Sequence, residues 1–311
     1  MSVNSQNFKR ADAKDIEEME IISQNQGISQ NDESYLKITF KRFVRNKMAV
    51  IGAIVFIVLI IVALAAPLLA PYNPDLTVGT FTAKPSSQFI LGTDEVGRDV
   101  LSRLIYGSRI SLFVGIFSVL MYTIIGTSLG LLSGFLGGIV DTVVMRITEV
   151  FMSFPYMMVV IVVVSLIEPN IGTVTLVIGL LGWPPLCRLV RGEVMKLKKA
   201  DYIQAAISSG YSTPKILFKH IFPNVFSPIL VTMTFGIATS ILTEASLSFL
   251  GVGVTAPTAS WGNMLTNAQS LTVLQTQIWR WLPPGIMILV TVLAVNFMGN
   301  GLRSAIDGEA K

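Results

Sequence analysis

The sequence predicts an all-α membrane protein with six transmembrane helices and both termini in the cytoplasm. Of its 311 residues, 52% are hydrophobic and only 14% are charged, whereas a soluble domain carries about 25% charged residues. Apolar runs of roughly 17–25 residues recur along the chain, and each can cross about 30 Å of hydrocarbon. Basic residues concentrate in the segments assigned to one side of the membrane, which sets the topology.

The N-terminal part of the chain divides into a tail and a first crossing. Residues 1–40 are predicted to be a mobile cytoplasmic tail, because this polar, mainly acidic stretch cannot offset the entropy lost on ordering. Residues 41–110 contain the first transmembrane helix, at about 48–70, and an outer loop that ends in an amphipathic helix at 99–109. Basic residues place the start of the first helix in the cytoplasm: Lys37, Lys41, Arg42, Arg45 and Lys47.

Residues 111–305 are predicted to form a five-helix core. The span at 172–187 is the shortest, and Trp183-Pro184-Pro185 must bend it or end it, because proline lacks an N–H and clashes with the preceding turn. The five spans are expected at 111–136, 143–167, 172–187, 226–250 and 282–302.

Charge assigns the long loop at 188–225 to the cytoplasm. The 251–281 loop has only Arg280 as a basic residue, whereas the 188–225 loop carries seven basic residues. These are Arg188, Arg191, Lys196, Lys198, Lys199, Lys215 and Lys219. The first outer loop is also basic, but its charge is offset by Asp75, Asp94, Glu95 and Asp99.

Three glycines recur every four residues in the second span, at Gly126, Gly130 and Gly134. Glycines at this spacing let two helix backbones approach closely and gain dispersion contacts. They predict tight helix packing, either within this chain or at an interface with a second subunit.

Two glutamates, Glu149 and Glu244, fall within or at the edge of apolar spans. Ionisable groups at membrane depth are costly and are usually paired or face water. One interpretation is that one of them lines a translocation path. The alternative is structural: Glu149 pairs with Arg146 or Arg188, and Glu244 caps a helix near the outer interface.

Several chemistries are excluded by the residues present. Cys187 is the only cysteine and His220 the only histidine, so neither an internal disulfide nor a zinc site with several Cys or His ligands is possible. Gly92 and Gly97 have the spacing of a phosphate-binding loop, but Arg98-Asp99 follow in place of Lys-Ser/Thr. Basic residues form no single stripe for nucleic acid. The sequence therefore predicts no catalytic residues, resident metal or cofactor.

The 188–225 loop is predicted to contain two helices joined at a glycine. Gly210 suits a helix C-terminus, since glycine tolerates the left-handed conformation required there. Ser212 or Thr213 can cap the following helix, with Pro214 in its first turn. The small side chains of Ala205 and Ala206 leave room for a partner surface.

This loop resembles the EAA loop of binding-protein-dependent ABC transporter permeases. Ala205, Ala206, Gly210 and Pro223 occur at that family's spacing, while Gln204 replaces its usual glutamate. A histidine before Pro-Asn is usual in the peptide branch. The resemblance implies that the loop docks on an ATP-hydrolysing subunit through a set of coupling residues: Asp201, Tyr202, Gln204, Ala205, Ala206, Gly210, Ser212, His220, Pro223 and Asn224.

Three further segments, at 91–112, 145–155 and 244–265, resemble the C-type permease of oligopeptide and dipeptide importers. Together the similarities cover about residues 40–305 and imply the type I ABC importer permease fold. They imply four kinds of partner: a second homologous permease in a heterodimer, two ATP-binding cassette subunits that hold ATP and Mg, an extracytoplasmic substrate-binding protein, and membrane lipid.

The implied function is a peptide permease subunit of the bacterial plasma membrane, without enzymatic activity of its own. A nickel-import permease is the alternative substrate assignment, since those permeases have similar motifs. A stand-alone secondary carrier is a second class, but it needs ion or proton sites within the chain. A membrane enzyme is a third, and it needs a clustered catalytic set.

Overall fold

The computed structural model describes residues 35–307 and consists of helices, with no β-strand within that range. The predicted tail lies almost entirely outside the described residues. Besides α-helices, this range contains a π-helical turn at Leu217–Ile221 and a 3-10 turn at Thr266–Gln269. The α-helices are α1 Tyr35–Arg45, α2 Lys47–Leu64, α3 Ala66–Leu69, α4 Val100–Leu136, α5 Gly138–Met152, α6 Tyr156–Leu166, α7 Ile171–Leu181, α8 Trp183–Leu197, α9 Asp201–Ser208, α10 Thr213–Ile216, α11 Phe222–Phe249, α12 Trp261–Leu265, α13 Leu271–Thr276 and α14 Ile278–Asp307.

Within residues 35–307, five helical stretches are long and apolar enough to span a membrane, and a bent pair supplies the sixth. This agrees with the predicted six spans. The span predicted at 143–167 is a bent pair of helices, since α5 and α6 meet at 82°. Pro155 lies at the break; its ring fixes φ, and it has no N–H to offer the carbonyl of Phe151 four residues earlier.

Two predicted span boundaries are wrong. The fourth span continues to Leu197, with an interruption at Gly182, and so it contains the basic residues predicted to begin the loop. Pro184 and Pro185 do not end it. They lie in the first turn of α8, where N–H groups have no acceptor within the helix, so the two prolines cost α8 no hydrogen bond. The fifth span begins at Thr213, well before residue 226.

Helix α4 is 37 residues long and lies at the centre of the bundle. It contacts α2, α7, α8 and α11, while α14 closes the other side against α2 and α11. The expected amphipathic helix at 99–109 is the first part of α4. Asp99 caps that helix, since its carboxylate accepts hydrogen bonds from the amide and hydroxyl of Ser102, both at 2.7 Å.

The glycines of α4 lie against α8 of the same chain. A Cβ on Gly126 would be 2.9 Å from the carbonyl oxygen of Trp183, and one on Gly134 would be 2.9 Å from that of Arg191. Gly130 faces Cys187 and Val190 between them. The two backbones therefore approach at all three positions, and any side chain would separate them.

Both ends of the described chain lie at the end of the bundle that carries α9. Arg42 donates from Nη1 to the carbonyl of Ala305 at 3.5 Å, which brings α1 beside the end of α14. The C-terminal end of α2 and the first part of α4 line the same cavity. The two helices therefore run antiparallel, and the N-terminal end of α2 lies near the C-terminal end of α4. Lys198, just before α9, contacts the same C-terminal end of α4.

Candidate functional site

The segment from Lys198 to Asn224, here called the elbow, contains the predicted coupling residues. Its first helix, α9, is amphipathic: Ile203 and Ala206 are buried. The expectation that both alanines form an open surface is therefore wrong for Ala206, which packs inward. The remaining residues of α9 are exposed: Asp201, Tyr202, Gln204, Ala205, Ile207 and Ser208.

Gly210 ends α9 in a Schellman motif. Its φ is +75°, its amide donates to the carbonyl of Ile207 at 3.0 Å, and the amide of Tyr211 donates to that of Ala206 at 3.1 Å. These bonds satisfy the last carbonyls of the helix and need a left-handed residue at this position. The helix–glycine–helix arrangement predicted from the sequence is confirmed.

The return arm of the elbow is held by contacts to Tyr211. The Nζ atom of Lys215 lies 4.1 Å from the ring centroid of Tyr211, and the ring of His220 stacks on the same tyrosine at 6.3 Å. The Nε2 atom of His220 has no hydrogen-bond partner among the described residues. Asn224 donates to the carbonyl of His220 at 2.6 Å.

Ser212, Pro223 and Asn224 are exposed on this arm. Ser212 occupies the position before α10, but its side chain makes no capping bond.

Gln204 connects the elbow to α4 through a lysine. It donates from Nε2 to the carbonyl of Lys198 at 2.6 Å. Lys198 in turn donates from Nζ to the carbonyl of Phe135 at 2.6 Å, and its ammonium lies 5.4 Å from the centroid of the Phe135 ring. A cation at this position is also stabilised by the negative, C-terminal end of the helix dipole. The amide at position 204 therefore has a local role in addition to any partner contact.

A second connection joins α5 to α8. Arg191 donates from Nε and Nη2 to the two carboxylate oxygens of Asp141 at 2.5 and 2.6 Å. The side chains are 29% and 20% exposed, so this bidentate pair is largely shielded from water. This pair has little sequence signal. Its only signals are an acidic residue in the first turn of α5 and an arginine on a helix that was predicted to be a loop.

Removing this pair is expected to destabilise the chain. Asp141→Asn leaves the Arg191 guanidinium half-buried without a counter-charge, at a cost of about 1–3 kcal/mol, between the exposed and buried limits. Glu149→Gln is the matched control, because its pair with Arg146 at 2.8 Å is exposed and contributes at most about 0.5 kcal/mol. Thermal unfolding in detergent measures both. Equal shifts in the two variants would contradict the assignment.

Neither Glu149 nor Glu244, predicted to be path or structural residues, lines any of four cavities of about 220 to 650 Å³ within residues 35–307. Glu149 forms the exposed pair with Arg146, one of the predicted structural partners. Glu244 is fully buried and accepts hydrogen bonds from Ser111 at 3.1 Å and Ser248 at 2.8 Å, with Ser260 as a third hydroxyl partner. These bonds tie α4 and α11 to the segment before α12.

Two basic residues of the 71–109 loop, Arg98 and Arg103, are paired with acidic ones. Arg98 contacts Asp94 at 2.7 Å, Arg103 contacts the same carboxylate at 3.5 Å, and Arg280 forms an ion pair with Glu95. Asp94 also accepts from the amides of Val96 and Arg98, at 3.0 and 2.9 Å. In the loop between Gly92 and Arg98, which has the spacing of a phosphate-binding loop, two backbone amides therefore already donate to the carboxylate of Asp94.

Comparison with known proteins identifies the family. Residues 126–309 match the family described as binding-protein-dependent transport system inner membrane component. The chain belongs to this family. It is accordingly a multi-pass transport subunit of the bacterial plasma membrane. Residues 34–87 also match the N-terminal transmembrane domain of oligopeptide transport permease C, which confirms the resemblance to C-type permeases.

Two relatives cover most of this inner membrane component. The dipeptide transport system permease protein DppC of Haemophilus influenzae is 39% identical over 86% of this chain and 93% of its own length. The oligopeptide transport system permease protein OppC of Bacillus subtilis is 38% identical over 91% of this chain and 93% of its own.

A solved structure is similar in fold. An inward-facing form of the MetNI methionine ABC transporter matches with a TM-score of 0.50 at 17% identity, covering 66% of this chain and 97% of that one. At this identity the match shows the fold alone, and it confirms the expected importer permease architecture.

Proposed function

We propose that this chain is a transmembrane permease subunit of an ATP-driven importer of oligopeptides or dipeptides. Support for the substrate comes from relatives named as dipeptide and oligopeptide permeases that align over nearly their whole length. Support for a separate motor comes from the loop at Gly92 and Gly97, whose amides are occupied by Asp94. A nucleotide phosphate needs free amides in such a loop.

The observation that carries the proposal is the elbow. The side chains of Tyr202, Gln204 and Ala205 are exposed on a short helix that the Schellman turn at Gly210 holds at one end of the bundle. The proposed partner for this surface is an ATP-binding cassette subunit. An exposed tyrosine beside a small residue suits a groove, since aromatic side chains supply much of the binding energy at interfaces.

Hydrogen bonds join the elbow to α4, and they join α8, which leads into the elbow, to α5. Gln204 and Lys198 link it to the end of α4, and Arg191 with Asp141 links α8 to α5. A displacement of α9 by the motor would therefore move α4, α5 and α8 together. We propose a heterodimer with a second homologous permease, two ATP-binding subunits that carry ATP and Mg, and an extracytoplasmic binding protein. In this arrangement the elbow and both termini are cytoplasmic.

Affinity purification through a tag on this chain tests the proposal. The expected result is co-purification of a second permease and an ATP-binding subunit, and ATP-dependent uptake of radiolabelled trialanine into proteoliposomes that hold the complex and its binding protein. Uptake of Ni²⁺ without uptake of peptides would contradict the assignment of peptides as the substrate. Uptake by this chain alone, driven by an ion gradient, would contradict the proposal that transport is coupled to ATP hydrolysis by a partner subunit.

A further inference from the structure

A cleft of about 420 Å³ lies where the two interrupted spans meet α11. Phe151, before the α5–α6 break, makes an edge contact with Trp183, after the α7–α8 break, at a centroid distance of 5.6 Å. Tyr156 donates from its hydroxyl to the carbonyl of Ile178 at 3.5 Å, which joins the same two spans. Residues at both breaks therefore line the cleft, together with Tyr122 of α4.

A row of hydroxyl groups on α11 also lines the cleft. Thr232, Thr239 and Thr243 each donate to the carbonyl four residues earlier, at 2.9, 3.1 and 2.9 Å. Each hydroxyl proton is thus already used, and the oxygen keeps lone pairs that can accept a further hydrogen bond. The row is therefore a set of acceptors directed at the cleft.

The helix breaks add backbone acceptors. Pro155 and Pro185 have no N–H, so the carbonyls of Phe151 and Leu181, which lie before the breaks, have no N–H donor four residues later in the chain. Both of these residues line the cleft. Irregular backbone at membrane depth is tolerated where it is buried in protein or lines a water-filled cavity. Secondary transporters also build solute sites from interrupted helices whose free backbone groups face a cavity.

The chemistry of the cleft is neutral. Its lining consists of aromatic, apolar and hydroxyl side chains and contains no Asp, Glu, Lys, Arg or His. Such a surface complements N–H donors that carry no charge, with aromatic faces beside them. A lipid-facing surface has a different composition, as on α2, where isoleucines at 51, 54, 57 and 61 are exposed.

We infer that this cleft binds the main-chain amides and neutral side chains of a peptide during its passage. The inference rests on the proposed function and adds a contact site to it. Peptide N–H groups would donate to the threonine oxygens and to the carbonyls at the breaks, and the aromatic rings would contact side chains. Because no charged group takes part, the site would accept peptides of varied sequence.

The steric test uses Thr239→Trp, in which the indole fills the cleft from the exposed side of α11. Trialanine uptake by the assembled transporter should fall at least tenfold, while co-purification of the partners and basal ATP hydrolysis stay unchanged. Ile57→Trp is the matched control, since Ile57 is exposed on α2 away from the cleft, and its uptake should stay within twofold. Thr239→Ser keeps the oxygen and should retain uptake, whereas Thr239→Val should raise KM about threefold without changing kcat.

A second measurement does not depend on a bulky variant. Thr239→Cys is labelled with a water-soluble methanethiosulfonate reagent during ATP turnover; Cys187 is fully buried, and the unsubstituted chain gives the background. Imported trialanine should slow labelling at least fivefold compared with tri-D-alanine that is not imported. Equal labelling rates while trialanine is imported would overturn the cleft and leave the importer function standing. Failure to import any peptide would overturn the importer function and the cleft with it.

Discussion

Replacing Gly210 with valine is expected to reduce peptide uptake and peptide-stimulated ATP hydrolysis at least tenfold, with membrane insertion intact. At φ +75°, a residue with a Cβ is destabilised by about 1–2 kcal/mol, and a β-branched one by more. Because a difference of about 1.4 kcal/mol is a factor of ten in population, the Schellman turn would open and α9 would lose its fixed orientation.

The matched variant is Gly210→Asn. Asparagine tolerates the left-handed region, and no atom outside the adjacent residues lies within 4 Å of a Cβ at this position. Within the chain, asparagine is therefore accommodated and valine is not, for a conformational reason alone. ATPase assays with and without loaded binding protein, and a membrane-fraction blot for insertion, measure the result.

The comparison separates turn geometry from surface contact. If asparagine and valine abolish uptake equally, position 210 itself lies against a partner and the conformational argument is wrong. If neither reduces uptake, the elbow does not couple the chain to a motor. Basal ATP hydrolysis that persists in Gly210→Val, without stimulation by peptide, is the expected sign of a motor that no longer drives the helices.

The spans were largely predictable from hydropathy, and the errors have a common cause. Residues 188–197 carry Arg188, Arg191 and Lys196, so they were assigned to a loop, yet they continue the fourth span. What holds them in a helix is the apolar row of Cys187, Val190 and Val194, which packs on the glycines of α4. The three- and four-residue spacings in that row are typical of a helix, but the basic residues between them favoured a loop in the prediction.

Contacts between distant residues could not be obtained from one sequence. Asp141 and Arg191 are 50 residues apart, and Glu244 and Ser111 are 133 apart. A buried carboxylate needs a partner, but three serines serve as well as an arginine, and the sequence offers many candidates for either. The Gly210 turn was predictable because its signal is local: a glycine followed by Ser-Thr-Pro after a short amphipathic stretch.

The proposed peptide cleft was also out of reach. Pro155 and Pro185 mark the two helix breaks, but only the tertiary fold brings both breaks against the threonines of α11. The sequence marks Glu149 and Glu244 as charged groups at membrane depth, whereas the neutral residues that line the cleft carry no comparable signal. Neutrality is itself informative, because a site that must accept many peptides gains little from a fixed charge.

The other large effect is expected at the glycine seam between α4 and α8. In Gly130→Ala the new Cβ would lie 2.7 Å from the Cβ of Val190 and 2.8 Å from the carbonyl oxygen of Cys187. One of these atoms belongs to the backbone, so the two helices must separate instead of a side chain turning aside. Overpacking of this kind costs typically about 1–3 kcal/mol, and the loss of close contact along the seam adds to it.

Gly192→Ala is the control, because it lies in the interior of α8 with no atom within 4 Å of a Cβ. There alanine has the better helix propensity, by about 1 kcal/mol, so the variant should be neutral or more stable. Pulse proteolysis of the purified complex gives the folded fraction of this chain, and the amount of co-eluting second permease reports assembly. Loss of folded chain in Gly130→Ala, together with its partner, is expected from a seam within the chain. A folded, protease-resistant chain that has merely lost its partner would instead assign the glycines to the subunit interface.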